Sequence, residues 1–235
     1  MPPADPFRSA ALLVGAIVLA IAVFALFPGL DLAVSRPFYR PGLGFPVETV
    51  ALIEALRLAL WRLSLAMVLA SAMFLLLASA TDRAPFHVPG RVWGYILAVY
   101  ALGTGVLVHG VLKAYWGRAR PAQVVDFGGS AQFTPPWQIS QECTRNCSFV
   151  SGEVSGAVAF SVGLWAILTA LDWRLPPAWR RRGRAVALAI PLVTAVQRLA
   201  AGRHFLSDIV FSALFTLLVA VLLSPLLPQR RAPRG

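Results

Sequence analysis

Six apolar runs constrain this chain more than any other feature. They fall at 10–27, 63–80, 92–112, 154–171, 185–201 and 209–227, and polar residues collect between them. Each is close to the roughly 20 residues a helix needs to cross a bilayer. Backbone groups in lipid must be satisfied within the segment, so such runs fold as helices. The runs therefore predict an all-α fold, a bundle of six transmembrane helices forming one domain over 1–235. Composition agrees: 58% of residues are hydrophobic and 13% charged, against about 25% charged in ordinary soluble domains.

The segments differ in strength. The first could serve as a signal peptide, but its length and the lack of an A-x-A site after it favour a retained helix. The stretch Val47 to Arg62 carries Glu48, Glu54, Arg57 and Arg62, and it reads as an interfacial helix ahead of the second span. The fifth run is short and contains Pro191, and it reaches spanning length only if Arg198, Ala200 and Ala201 continue the helix. The connection Ala114 to Phe149 is the longest, and long irregular connections in compact proteins usually carry function.

The net charge of +11 does not point to nucleic acid, because the basic residues sit between apolar runs and form no stripe with interleaved aromatics. It reads as topology signal plus an anion site. Six spans place both termini on one side together with the second and fourth connections. That side holds 11 of the 21 positive residues, and the other side holds 10. Setting aside Lys113, Arg118, Arg120, Arg198 and Arg203 as site residues leaves 11 against 5. The termini, including the basic tail with Arg230, Arg231 and Arg234, are then expected in the cytoplasm.

Three polar islands fall on the opposite side, each at the end of a span. The first holds Lys113, Arg118 and Arg120, capped by Pro121. Guanidinium forks match phosphate oxygens in bidentate fashion, and an ammonium adds a point charge. Snorkelling toward the headgroups is the bland alternative. The second island, Ser148 to Glu153, runs into the fourth span. Ser151 and Gly152 at a helix start offer amides, a hydroxyl and the positive end of the dipole to an anion. Ordinary helix capping would use the same residues, and a cap is the default role of Glu153. The third island holds Arg198, His204 and Asp208. His204 and Asp208 are four residues apart and share a helical face. A carboxylate on one ring nitrogen would make the other a better nucleophile. No H-E-x-x-H or acid cluster completes a metal site. His87 and His109 lack such company and read as structural. Cys143 and Cys147 form a C-x3-C pair without a second half-site, read either as a disulfide or as two free thiols.

The three islands together form a pattern: K-x6-R-P at Lys113, Arg120 and Pro121; S-G at Ser151 and Gly152; R-x5-H-x3-D at Arg198, His204 and Asp208. This resembles the type 2 phosphatidic acid phosphatase family, which shares its site with bacterial acid phosphatases and vanadium haloperoxidases. The resemblance implies a phosphohistidine on His204, with Asp208 orienting the ring. Lys113, Arg120, Arg198, Ser151 and the Gly152 amide would hold the phosphoryl oxygens. It implies no metal and no other cofactor, the cations supplying the charge stabilisation. The partners implied are a lipid phosphate and the membrane, with the site on the periplasmic face of a bacterial inner membrane. Oligomeric state is not addressed.

Two departures stand out. The third block opens Gln197-Arg198 where the family has Ser-Arg. The second reads Val150-Ser151-Gly152-Glu153 where the family has P-S-G-H, whose His protonates the leaving oxygen. Glu153 then has three readings: the general acid, a helix cap, or the mark of a weak or inactive enzyme. The connection Gly117 to Glu153 is similar to that of a bacterial branch that includes lipid A 4′-phosphatase-like proteins. This implies a lipid phosphomonoester at the outer leaflet, with phosphatidylglycerol phosphate, phosphatidic acid and undecaprenyl diphosphate still open. The rival readings are a lipid-to-lipid phosphotransferase, a catalytically silent lipid-phosphate binder and a small anion transporter. A transporter would carry its charges nearer mid-membrane.

Overall fold

In the computed structural model, residues 5–81 and 83–228 are described. They form seven α-helices: α1 Pro6–Leu26, α2 Leu30–Ser35, α3 Ala51–Thr81, α4 Gly90–Tyr115, α5 Gly152–Ala170, α6 Pro177–Ala200 and α7 Leu206–Leu222. No strand occurs among the described residues, only two isolated bridges. Five of the helices are long and apolar enough to span a bilayer, and α7, at 17 residues, is a shorter apolar helix. The basic tail read as cytoplasmic lies outside the described residues.

Two helices outrun their apolar runs. The stretch expected as an interfacial helix is continuous with the second span, and the 31 residues of α3 carry Glu54, Arg57 and Arg62 in their first turns. Arg57 there reaches Glu153 of α5 and pairs with Glu54 on its own helix, so this polar end is continuous with the span. Likewise α6 starts at Pro177, beneath the arginine cluster Arg180–Arg184, and runs through Pro191. A proline inside a helix frees the carbonyl four residues earlier. Here that is the carbonyl of Ala187, and it accepts a hydrogen bond from the Ser161 hydroxyl of α5. The neighbouring helix thus satisfies what the proline leaves open.

The hub is α5. About half of its apolar stretch is buried, against 11% for α1 and 6% for α3, whose outward faces are left for lipid. It packs against α3, α4, α6 and α7. Small residues allow this close approach: a methyl group on Gly163 would meet Ile96 side-chain carbons at 3.3 Å. Hydroxyls tie the interior together. Ser155 bonds Thr104 at 2.8 Å and Thr216 at 2.9 Å, and Ser64 bonds Tyr100 at 2.8 Å. Leu12, Leu19, Leu52, Leu76 and Leu192 are exposed. They lie on the spanning helices, where hydrocarbon and not water is the surrounding solvent.

The hydrogen bonding of α4 widens to π type over Val99–Leu112 before closing again at Lys113–Tyr115. Such segments frequently sit at functional sites, and this one carries His109 and ends at Lys113. The C-terminal end of α4, the N-terminal ends of α3, α5 and α7, and the C-terminal end of α6 meet at one end of the bundle. The long connection, held by a Cys143–Cys147 disulfide with Cα atoms 5.6 Å apart, closes over that end.

Candidate active site

A cavity of about 730 Å3 opens at this end. Its polar part is walled by Lys113, Arg120, Gly152, Glu153, Arg198 and His204, so six of the eight residues expected at the site converge on it. Its wall also includes apolar side chains, among them Leu60, Trp61 and Val68 of α3 and Val193 of α6. A charged head and an apolar flank match a ligand that is itself amphipathic.

The remaining two, Ser151 and Asp208, lie behind that wall and are fully buried. Ser151 caps α5, its hydroxyl accepting from the Val154 amide at 3.4 Å. Asp208, in the first turn of α7, accepts from the Ser148 hydroxyl at 2.5 Å, the Phe205 amide at 2.8 Å and Arg118 at 2.6 Å. His204 sits in the turn between α6 and α7. That turn passes through Gly202, whose φ of +63° suits glycine and whose missing side chain makes room for the Phe45 ring. Nδ1 of His204 donates to the Ser148 carbonyl at 2.8 Å, and Asp208 lies 3.8 Å from the same nitrogen. The ring is 3% exposed, and burial pushes its pKa down to about 4 in spite of the neighbouring Asp208 carboxylate. It is therefore neutral at pH 7. With Nδ1 holding the proton, the lone pair is on Nε2.

The cations are held by carbonyls and one carboxylate. Lys113 donates to the Cys147 carbonyl at 3.0 Å, and Arg120 to the Asn146 carbonyl at 2.8 Å. Burial first, and then the nearby Arg203 guanidinium, draw Arg120 below its ordinary pKa. Such crowding of like charge favours an incoming anion. Arg198 reaches Glu153 at 3.2 Å and also bonds Gln197. Glu153 accepts a second bond, from Arg57 of α3 at 3.0 Å, and both guanidiniums bond the same oxygen, Oε1. Arg57 in turn grips Glu54 through two nitrogens. At the rim Arg203 pairs with Glu48.

Arg118 does not share the anion-binding part that its island suggested. It is fully buried and donates to Asp31 at 2.8 Å, to Asp208 and to the Thr134 carbonyl. Its guanidinium lies 4.4 Å from the Phe205 ring centroid. Its charge is spent on two protein carboxylates 87 and 90 residues away in the chain. Asp31, on α2, also accepts from the Ser207 amide and hydroxyl. Burial raises its pKa, against the pull of Arg118. Sequence reasoning missed Asp31, Arg57 and His109. His109 lies on the cavity wall, one turn before Lys113. That spacing was the available signal for it.

A neutral, buried imidazole at the head of a cation-lined cavity in a bundle of apolar helices fits one class: a membrane-embedded phosphatase. The chain belongs to the PAP2 superfamily, whose pattern matches residues 93–232. Among curated relatives, a lipid A 4′-phosphatase of Rhizobium leguminosarum is 32% identical over 212 residues, 85% of this chain and 88% of the relative. A lipid A 4′-phosphatase of Francisella tularensis subsp. novicida is 34% identical over 148 residues, 61% of each chain. A solved transmembrane PAP2-type phosphatidylglycerolphosphate phosphatase from Bacillus subtilis superposes with a TM-score of 0.59 at 18% identity, covering 96% of this chain and all of that one. At that identity the superposition bears on the fold alone.

Proposed function

We propose that the protein dephosphorylates a lipid phosphate of the lipid A type, through a phosphohistidine on His204, at the periplasmic face of a bacterial inner membrane. The observation that carries this reading is the bond from His204 Nδ1 to the Ser148 carbonyl. It leaves Nε2 with its lone pair in the cavity that Lys113, Arg120 and Arg198 share. A phosphoryl group among those cations presents phosphorus to Nε2. The cations and the Gly152 amide at the α5 N-terminus take up the charge that develops on its oxygens. Asp208 acts as a positioning residue: it holds the Ser148 segment, and through it the ring. Glu153 braces Arg198: its Oε1 accepts from Arg198 and from Arg57 of α3.

The substrate class rests on the curated relatives of similar length and on the two-natured cavity. The membrane face rests on the distribution of positive residues. The test is phosphate release by purified protein from lipid A, phosphatidic acid, phosphatidylglycerol phosphate and undecaprenyl diphosphate, with acid-labile phosphate trapped on the quenched protein. Lipid A should be turned over fastest, and His204→Gln should neither turn over nor trap label. Turnover by His204→Gln, or label on another residue, would refute the mechanism. Faster turnover of another lipid would refute the substrate.

A further inference from the structure

The reaction proposed above needs a proton for the lipid oxygen when its bond to phosphorus breaks. The family pattern places a histidine for this purpose at the position held here by Glu153, and Glu153 is committed to Arg57 and Arg198. The chain has three histidines. His204 is the nucleophile. His87 lies in the α3–α4 connection near Trp173, away from the site. His109 lies on the cavity wall with His204, Lys113 and Gly152.

The position of His109 is closely fitted. A methyl group on Gly152 would stand 2.5 Å from His109 Nε2 and 2.6 Å from Cε1, so the ring occupies the space that a side chain at 152 would need. His109 is exposed to the cavity, and among the described residues its ring makes no hydrogen bond to the protein. It stands four residues before Lys113 on α4, which places both on one helical face. An imidazole thus borders the second block from another helix, where the sequence of that block supplies none.

We infer that His109 is the general acid, and then the general base, of the reaction, a role that rests on the phosphohistidine reading of His204. In the first half, the Nε2 lone pair of His204 forms the N–P bond as the P–O bond to the lipid breaks. The electron pair leaves on the lipid oxygen, which takes the proton from the His109 imidazolium. In the second half, water attacks phosphorus and gives a proton to His109. The N–P bond breaks, inorganic phosphate leaves and His204 is restored.

The test compares two leaving groups in wild type and His109→Asn: the lipid phosphate turned over fastest in the panel above, and p-nitrophenyl phosphate, whose leaving group departs without a proton. Binding of inorganic phosphate serves as the structural control. His109→Asn should lose about 10²- to 10⁴-fold in kcat/KM on the lipid, which covers the chain of steps up to departure of the leaving group. It should lose less than about tenfold in kcat/KM on the aryl ester, with phosphate binding unchanged, while kcat falls on both because hydrolysis of the phosphohistidine is common to them. Equal losses of kcat/KM on both substrates, or unchanged kcat/KM on the lipid, would overturn the assignment. A wild type inert on both substrates would instead bring down the phosphatase reading, and this inference with it.

Discussion

His204 is oriented by the main chain of Ser148, 2.8 Å from Nδ1, while Asp208 stands 3.8 Å from that nitrogen and bonds the Ser148 hydroxyl instead. The carboxylate therefore steers the His204 ring at one remove. Ser148→Ala keeps the carbonyl and removes only one donor to Asp208. It should retain activity within about tenfold, and lower stability by about 1–3 kcal/mol, the cost of an unmet buried acceptor. Asp208→Asn removes the charge that Arg118 needs and disturbs the whole segment, so kcat should fall far more. Steady-state turnover and thermal unfolding of both variants in detergent check this ordering.

The buried, neutral imidazole makes a signed prediction about pH. Burial holds its pKa at about 4 in the folded protein, against about 6.5 in the unfolded chain. Below pH 6.5 the unfolded state therefore binds a proton that the folded state does not. The stability from this residue is complete above about pH 6.5, and it drains away as pH falls toward 4, by about 3 kcal/mol in all. Wild type should lose melting temperature over that window more steeply than His204→Gln. kcat/KM should show an acid limb near pH 4, because protonation consumes the attacking lone pair.

Arg118 and Arg120 lie two residues apart and should fail in opposite ways. Arg118→Met leaves Asp31 and Asp208 buried without their cation. Removing one member of a buried charge network costs about 3–5 kcal/mol, so the variant should unfold early or fail to accumulate. Arg120→Gln gives up a guanidinium whose protein partner is one carbonyl oxygen. It should melt like wild type and lose turnover by tenfold or more. Thermal melts beside lipid turnover separate the two outcomes.

That pair also marks how far local sequence carries. Both arginines sit beside the same span end, and spacing alone made both look like phosphate ligands. Their difference lies in Asp31 and Asp208, which reach Arg118 only through the packing of α2 and α7 around the long connection. The helical bundle and the family were legible because hydropathy and the R-x5-H-x3-D spacing are local. The true starts of α3 and α6 were not, because Arg57 and Arg180–Arg184 continue helices past the point where apolar residues stop. Arg57 looked like a surface charge because its partner Glu153 is 96 residues away. His109 was passed over for want of polar neighbours in sequence. In space its neighbour is Gly152, where the lack of a side chain is the relevant fact.

Glu153 gives the sharpest contrast between a brace and an acid. Its Oε1 ties Arg198 of α6 to Arg57 of α3 across the cavity, at 3.2 and 3.0 Å. Glu153→Gln keeps the shape and removes the charge that holds both guanidiniums. Arg198 should then meet the phosphoryl group in a less fixed position, raising KM several-fold and lowering kcat by about tenfold. A brace acts on every phosphate ester in the same way, so these losses should be equal for a lipid phosphate and for p-nitrophenyl phosphate. A proton donor would be felt on the lipid and hardly at all on the aryl ester. Measuring kcat and KM for Glu153→Gln on both substrates decides the matter. A loss confined to the lipid would move the acid from His109 back to Glu153.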